Sequence, residues 1–452
     1  MTANDKGSAL ISVMVVLFIL LTAFFAVFSF ALSRAGLLNK EINITRARYL
    51  ADAGINRLLQ IADTESLGWT EIISLRLNEK ISPTEEFKVE SSLTGGYIRV
   101  TSTGIAGSQR IAQSVLIGIM PWSDMNSAII NCSNTFPLVV AGATRINGDA
   151  IVGPQAITDG TIEGEPYQGD KLINGEIIIR EKVICPEIDN DAVRQYVNQM
   201  MDEKTSATNY IVGSAILRDF NEYKKNKKVV ICVEDNLDIQ SLRLNSYTSG
   251  IKIIAGGNIA IRENCEIRGL VEIMAGGSIY LGGASFLEGT TLTASDSIVF
   301  SNSVKFSGQA LAGRRISING GAEIGYPALL YVYCTDDDED NTIVFNAGGH
   351  SRAVAVIAGH IDTYSKKMHR LFIDSGAVSA GLMFCDQYTD IEGALHGISL
   401  TKEYYYRKDP TTYINWIKNA EIDRHRLDFL PVMPVSFAGR NKYAVFRILS
   451  VG

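Results

Sequence analysis

Catalytic and cofactor signatures are what this sequence lacks. It has no GxSxG, P-loop or GxGxxG motif, so nothing in it argues for an α/β-hydrolase, a phosphate-cradling loop or a dinucleotide site. Its five histidines form no HxH or HExxH pair. Six scattered cysteines (Cys132, Cys185, Cys232, Cys265, Cys334, Cys385) form no CxxC, so zinc ribbons and thioredoxin-like chemistry have no support. A basic excess is absent too: the net charge of −7 argues against a general nucleic-acid binder. Proline is scarce, ten residues against forty glycines in 452, which suits a repetitive β architecture with tight glycine corners.

What the chain does have is a repeat. Ile259, Ile279, Ile298 and Ile316 recur at intervals of 20, 19 and 18 residues. Two positions after each comes Ile261, Leu281, Phe300 or Ile318, and eight after each comes Ile267, Leu287, Phe306 or Ile324. Turn formers lie between these columns: Asn264, Gly282-Gly283, Asn302 and Asn319-Gly320. The period is too short for a helical hairpin, and the apolar residues alternate at two. One such unit cannot bury its own inner face. It must stack on the next about 4.8 Å away, which predicts a parallel β-helix with internal apolar ladders.

Before the repeat, Ala9 to Leu32 holds 24 residues without a charge. As a helix this run spans roughly 36 Å, enough to cross a bilayer. The helix is predicted to continue through Ala62 on an apolar stripe that includes Leu38, Ile42, Ile55 and Leu59. From Phe87 to Gly118 the pattern alternates, with turns at Gly95-Gly96 and Gly107-Ser108, which predicts a three-stranded antiparallel sheet.

The N-terminal residues carry a resemblance. Lys6-Gly7 followed by Ser8-Ala9-Leu10-Ile11 and a long apolar helix resembles the leader of type IV pilin-like proteins, which prepilin peptidase cleaves after the glycine, here between Gly7 and Ser8. Ala51-Asp52-Ala53-Gly54, within Arg46 to Leu59, is similar to the motif that ends the N-terminal helix of the PilX-type minor pilin family. The resemblance covers about 60 residues. It implies a small sheet packed on the outer half of the helix, and partnership with the membrane, other pilin-like subunits, the pilus assembly machinery and prepilin peptidase. Ser12 stands where major pilins carry a glutamate, so a minor or special position in the fibre fits better than bulk subunit. The charge count points the other way on topology: Lys6 precedes the apolar run, whereas Arg34, Lys40, Arg46 and Arg48 follow it, which alone would put the large domain in the cytoplasm.

The predicted organisation is therefore a leader at 1–7, a membrane-spanning pilin-like helix at 8–62, a small antiparallel region at 63–122, first β-helix coils with a helical insertion at 123–228, the main β-helix at 229–402 and a C-terminal cap over its open end at 403–452. Within 123–228, Ile146 and Ile151 repeat the coil pattern, and Val193, Tyr196, Val197, Met200 and Met201 fall at helical spacing. Later coils are read at Ile343 and Phe345 and at Leu371 and Ile373.

Three functional readings follow: a membrane-anchored minor pilin displaying a β-helix, a membrane-anchored scaffold similar to bactofilin-like polymer-forming β-helices, and a surface carbohydrate-active enzyme. The enzyme reading needs close acid pairs. In the regular coils Glu266 and Glu323 are three rungs apart, about 14 Å, beyond the roughly 5–9.5 Å separation of glycosidase carboxylates. No catalytic, cofactor or metal residue is assigned, and surface polysaccharide is the candidate ligand. Asp336 to Asp340 and Lys224 to Lys228 are read as solvated turns rather than a cation or polyanion site.

Overall fold

The computed structural model describes residues 5–203, 209–218, 229–334, 340–358, 368–437 and 442–451. The acidic run at 336–339, the lysine run at 224–228 and His360 lie outside them. The architecture is mainly β: a long N-terminal apolar helix, a small antiparallel sheet and a large body of parallel strands.

Helix α1 runs unbroken from Asp5–Thr64. A short helix α2 (Trp69–Ser74) then turns the chain into strands β1 (Arg76–Ser82), β2 (Glu85–Thr94), β3 (Tyr97–Ala106) and β4 (Gln109–Ile119). Gly95 and Gly107 take positive φ (63° and 56°) in the tight turns on either side of β3, a conformation that costs glycine little. The sheet has five strands rather than three. β1 adds one edge, and the chain's last strand, Tyr443–Val451, pairs antiparallel with β4 at the other.

The parallel strands wind as a three-faced solenoid. Ile259, Ile279, Ile298 and Ile316 stack in one ladder that continues to Ile343 and Leu371. Ile261, Leu281, Phe300, Ile318, Phe345 and Ile373 form the second ladder. Ile267, Leu287, Phe306 and Ile324 form the third, which continues through a buried Ser351–Ser379 hydroxyl pair to Leu395, Ile422 and Ile146. All twelve of the repeat's inward residues are buried in one core. Positive φ recurs once per coil at the same corner, at Asn264 (62°), Ala284 (32°), Ser303 (65°) and Gly321 (80°). Each precedes a buried small or branched residue: Cys265, Ser285, Val304 or Ala322.

The order of coils in space differs from their order in sequence. The coil that begins at Ile129 comes first in the chain, yet it stacks beyond Ser399–Thr401, and Ala150–Val152 and Ile177–Ile179 follow outward from it. After this detour the chain crosses the side of the solenoid through helix α3 (Asp191–Asp202) and starts again at the opposite end with Asn209–Ile211. Ile146 accordingly belongs to the third ladder, and Ile151 points outward instead of filling an inner column.

The C-terminal tail is not an end cap. Glu421–Asp423 is an internal rung, sandwiched between Ala394-Leu395 and Arg145–Asn147, and the final strand belongs to the antiparallel sheet. Both departures have one cause. A rung needs only an apolar triplet on each neighbouring face, and any two such rungs can pair, whatever their separation along the chain.

Candidate functional site

The first candidate is the helix and its sheet. Within α1, the side chains described from Leu10 to Leu32 are exposed, and among the described residues this is the one helix apolar and long enough to span a membrane. Gly7, Ser8 and Ala9 lie inside its helical span. The second half is different: Ala47, Ala51, Ile55, Leu58 and Ala62 are buried at spacings of three and four, a single stripe facing the sheet. Within the Ala51 to Gly54 motif, Ala51 and Gly54 are buried, Asp52 is half-buried and Ala53 is exposed.

The small residues set how close helix and sheet approach. A Cβ on Gly104 of β3 would lie 1.9 Å from the Ala47 carbonyl oxygen, and one on Gly54 would lie 2.2 Å from Ser102 Oγ. Neither position has room for a side chain. The motif is thus a packing surface against which the sheet closes.

The sheet in turn is fastened to the solenoid. The outward column of one solenoid face is apolar over most of its length, running through Cys232, Ile254, Met274, Thr293, Leu311, Tyr331, Val356, Phe384, Leu400, Ile130 and Ile151. Most of these side chains share a core with the helix stripe, the antiparallel sheet, α3 and Val432 to Phe437. Polar contacts fix the register of this seam. Tyr97 donates to the Val432 carbonyl at 2.9 Å, and Ile119 and Met433 exchange backbone hydrogen bonds at 2.8 and 2.9 Å.

A chain of charges crosses the same seam. Arg99 of β3 meets Glu272 at 3.6 Å, Glu272 meets Lys252 at 2.8 Å, and Lys252 meets Glu203, just past α3, at 3.0 Å. Burial pulls the Lys252 ammonium toward neutrality, but Glu272 and Glu203 outweigh it, so its pKa stays above the ordinary lysine value. Sequence reasoning missed this latch. The available signal was a lone charge inside two otherwise apolar strand runs, GIKIIA and LVEIMA.

Cys132 and Cys185 form a disulfide with Cα atoms 5.5 Å apart, joining the displaced first coil to the segment that leads to α3. Their spacing of 53 residues gave no sequence clue to the pairing. The other four cysteines are buried.

The second candidate is a groove of about 570 Å³ on the third solenoid face, walled by the segment around Arg426 and Asp428. Phe286, Lys305, Glu323, His350 and Val378 occupy successive rungs along it. Glu266, read from the sequence as a member of this column, lies one rung before Phe286 and pairs with Arg268 at 2.8 Å, while Lys305 pairs with Glu323 at 2.9 Å. Arg352 pairs with Asp428, and Arg426 donates to His396 Nε2 at 3.0 Å and meets Glu421 at 2.7 Å. His350 and His396 share the groove, whereas His369 is buried elsewhere, 2.7 Å from Asp386. Among the described residues no cluster of His, Cys, Asp and Glu has the arrangement of a metal site.

No protein-family model matches the chain, and no curated protein matches it. Among solved structures, the competence-associated pilin ComZ from Thermus thermophilus aligns with 91% of this chain and 97% of its own length, at 10% identity and a TM-score of 0.17. A superposition that loose carries no argument about fold or function.

Proposed function

We propose that the chain is a minor, pilin-like structural subunit of a type IV pilus or related assembly. The observation that carries this reading is the two-part helix α1: bare and uncharged over one bilayer thickness, then packed through Ala47, Ala51 and Gly54 on a small antiparallel sheet. Prepilin peptidase would cut between Gly7 and Ser8. The exposed apolar half would then move from lipid into lateral contact with neighbouring subunit helices, where close van der Waals packing replaces lipid contact. The solenoid, latched to the sheet, would be displayed on the extracytoplasmic side as a rigid binding or assembly surface with no catalytic role. Ser12, lacking the charge of a major subunit, suits a minor position.

The Cys132–Cys185 disulfide supports an oxidising, extracytoplasmic compartment for the solenoid. It weighs against the excess of Arg and Lys after the apolar segment, which favours a second reading, a membrane-anchored scaffold whose β-helix faces the cytoplasm. Two measurements separate them. Mass spectrometry of the mature N-terminus should give Ser8 in cells with prepilin peptidase and an uncut chain without it. Protease added to spheroplasts should digest or release the solenoid. An uncut N-terminus in both strains ends the pilin reading, and a protected solenoid selects the scaffold.

A further inference from the structure

We propose that the groove on the third solenoid face binds a neutral, linear oligosaccharide lying along the solenoid axis. Three observations select this ligand class over others.

The first is the polarity of the walls. Lys305, Arg352 and Arg426 offer donors, Glu323 and Asp428 offer acceptors, and each cation already faces a carboxylate. A polyanion would gain the cations but be repelled by Glu323 and Asp428. A sugar hydroxyl both donates and accepts, so it can bridge such a pair without an uncompensated charge. These ion pairs are solvent-exposed and therefore weak, and opening one to admit a hydroxyl costs little.

The second is the backbone. The strands beneath the groove are paired on both sides: Lys305–Ala312 lies between Phe286–Ala294 and Glu323-Ile324, and His350–Ile357 lies between Glu323-Ile324 and Val378–Ile391. Among the described residues beneath the groove no strand edge is free for an extended peptide to join, which removes the usual source of peptide affinity at a β surface.

The third is shape. From the rung of Phe286 to the rung of His396 the groove crosses five rung steps, about 24 Å at 4.8 Å per rung, and Lys305, Glu323 and His350 place polar side chains on three consecutive rungs within it. A polymer of pyranose units has a repeat of similar length. Phe286 and Val378 add apolar surface for the C–H faces of the sugar rings. The volume of about 570 Å³ lies within the ordinary range of small-ligand sites.

The test is titration calorimetry on the full chain in lipid nanodiscs, free of sugar-headed detergent, with cellohexaose, maltohexaose and chitohexaose as probes and hexagalacturonate and a hexaglutamate peptide as comparators. One neutral hexamer should bind more tightly than its dimer. Arg352→Ala should weaken binding about tenfold, as expected for one lost hydrogen bond to a charged group. Gly325→Leu provides a variant independent of the ion pairs: Gly325 lines the groove, and a Cβ there meets only Phe306 O at 3.8 Å and Ser307 Cβ at 3.9 Å, ordinary contacts, so the first carbon of the new side chain does not strain the rung. It should abolish binding while leaving the unfolding midpoint in place. Failure of all three neutral hexamers to bind at millimolar concentration overturns the proposal. So does tighter, salt-sensitive binding of hexagalacturonate or hexaglutamate, or neutral binding that survives Gly325→Leu.

Discussion

Gln309 and Gly96 are 213 residues apart and share a buried hydrogen bond: the Gly96 N–H donates to Gln309 Oε1 at 2.8 Å, while Gln309 Nε2 donates to the Thr94 carbonyl at 3.0 Å. One amide on a solenoid rung thereby bonds two backbone groups of the β2–β3 turn. The turn is packed closely, since a Cβ on Gly96 would lie 2.6 Å from Leu329 Cδ2 and 3.1 Å from Pro434 Cβ.

Gln309→Ala would leave a buried donor and a buried acceptor unmet, at a cost of about 1–3 kcal/mol each. The loss should fall on the seam. Hydrogen exchange should accelerate at Gly96 and at neighbouring amides of the β2–β3 turn, while inner-ladder amides such as Ile298 keep their protection. Equal acceleration of both would mean that sheet and solenoid unfold as a single unit and that the amide is no local clamp.

Gly104→Ala tests the helix–sheet approach. The added methyl would meet the Ala47 backbone at 1.9 Å, so the elements must separate, with an overpacking cost of about 1–3 kcal/mol. Gly282→Ala is the control, because its nearest neighbour would be at 3.5 Å. Urea midpoints should fall for the first and hold for the second. A Gly104→Ala protein as stable as the parent would show that α1 is loosely docked.

The two faces of one strand pair offer a sharper contrast. Phe300 is fully buried in the second ladder, while Tyr280 on the neighbouring rung points outward and is 48% exposed. Phe300→Ala should cost about 3–5 kcal/mol through lost transfer energy and a cavity. Tyr280→Ala should change the urea midpoint little. A large effect at Tyr280 would mean that the outward face is covered in solution.

These inward and outward assignments were legible in the sequence because the alternation at Ile298 and Phe300 is set by a local rule, the two-residue period of a strand. The position of Ile146 in the stack was not legible. An apolar triplet specifies which way its side chains point but carries no address for the rung it pairs with, so the first coil could lie at either end. The tail was misread for a related reason: Trp416 and Ile417 look like a mixed aromatic run, but they pair with Val139 and Val140 of that displaced coil. The groove was invisible because its wall, Arg426 and Asp428, comes from a segment with no repeat of its own.

The pH dependence of stability should have a component from His396. Burial first, and Arg426 second, hold its pKa below the ordinary imidazole value, against the opposing pull of Glu421 and Asp423. A base depressed in the folded state takes its proton more readily in the unfolded chain. Its stabilising contribution is therefore complete above about pH 6.5 and is lost as the pH falls below that value. His396→Gln should flatten the fall in urea midpoint between about pH 7 and pH 5. Parallel curves for parent and variant would assign the acid sensitivity to other groups.

The Cys132–Cys185 bridge links topology to stability. It closes a loop of 53 residues of sequence separation, for which the chain-entropy account gives about 4 kcal/mol, and it ties the displaced coil to the segment entering α3. The double change of Cys132→Ser and Cys185→Ser should therefore loosen the end of the stack first, seen as faster exchange at Ile151 and Ile178 than at Ile298. The same bond reports the compartment. If the solenoid is extracytoplasmic, chains from cells that are denatured without reductant should take up a thiol-reactive polymer at four of the six cysteines, and at all six after reduction. Because Cys232, Cys265, Cys334 and Cys385 are buried, native chains should label slowly at all of them, so the count must be made on denatured protein. Six labels without reductant would place the domain in a reducing compartment. The charges that follow the apolar run would then set its orientation, against the proposed pilin reading.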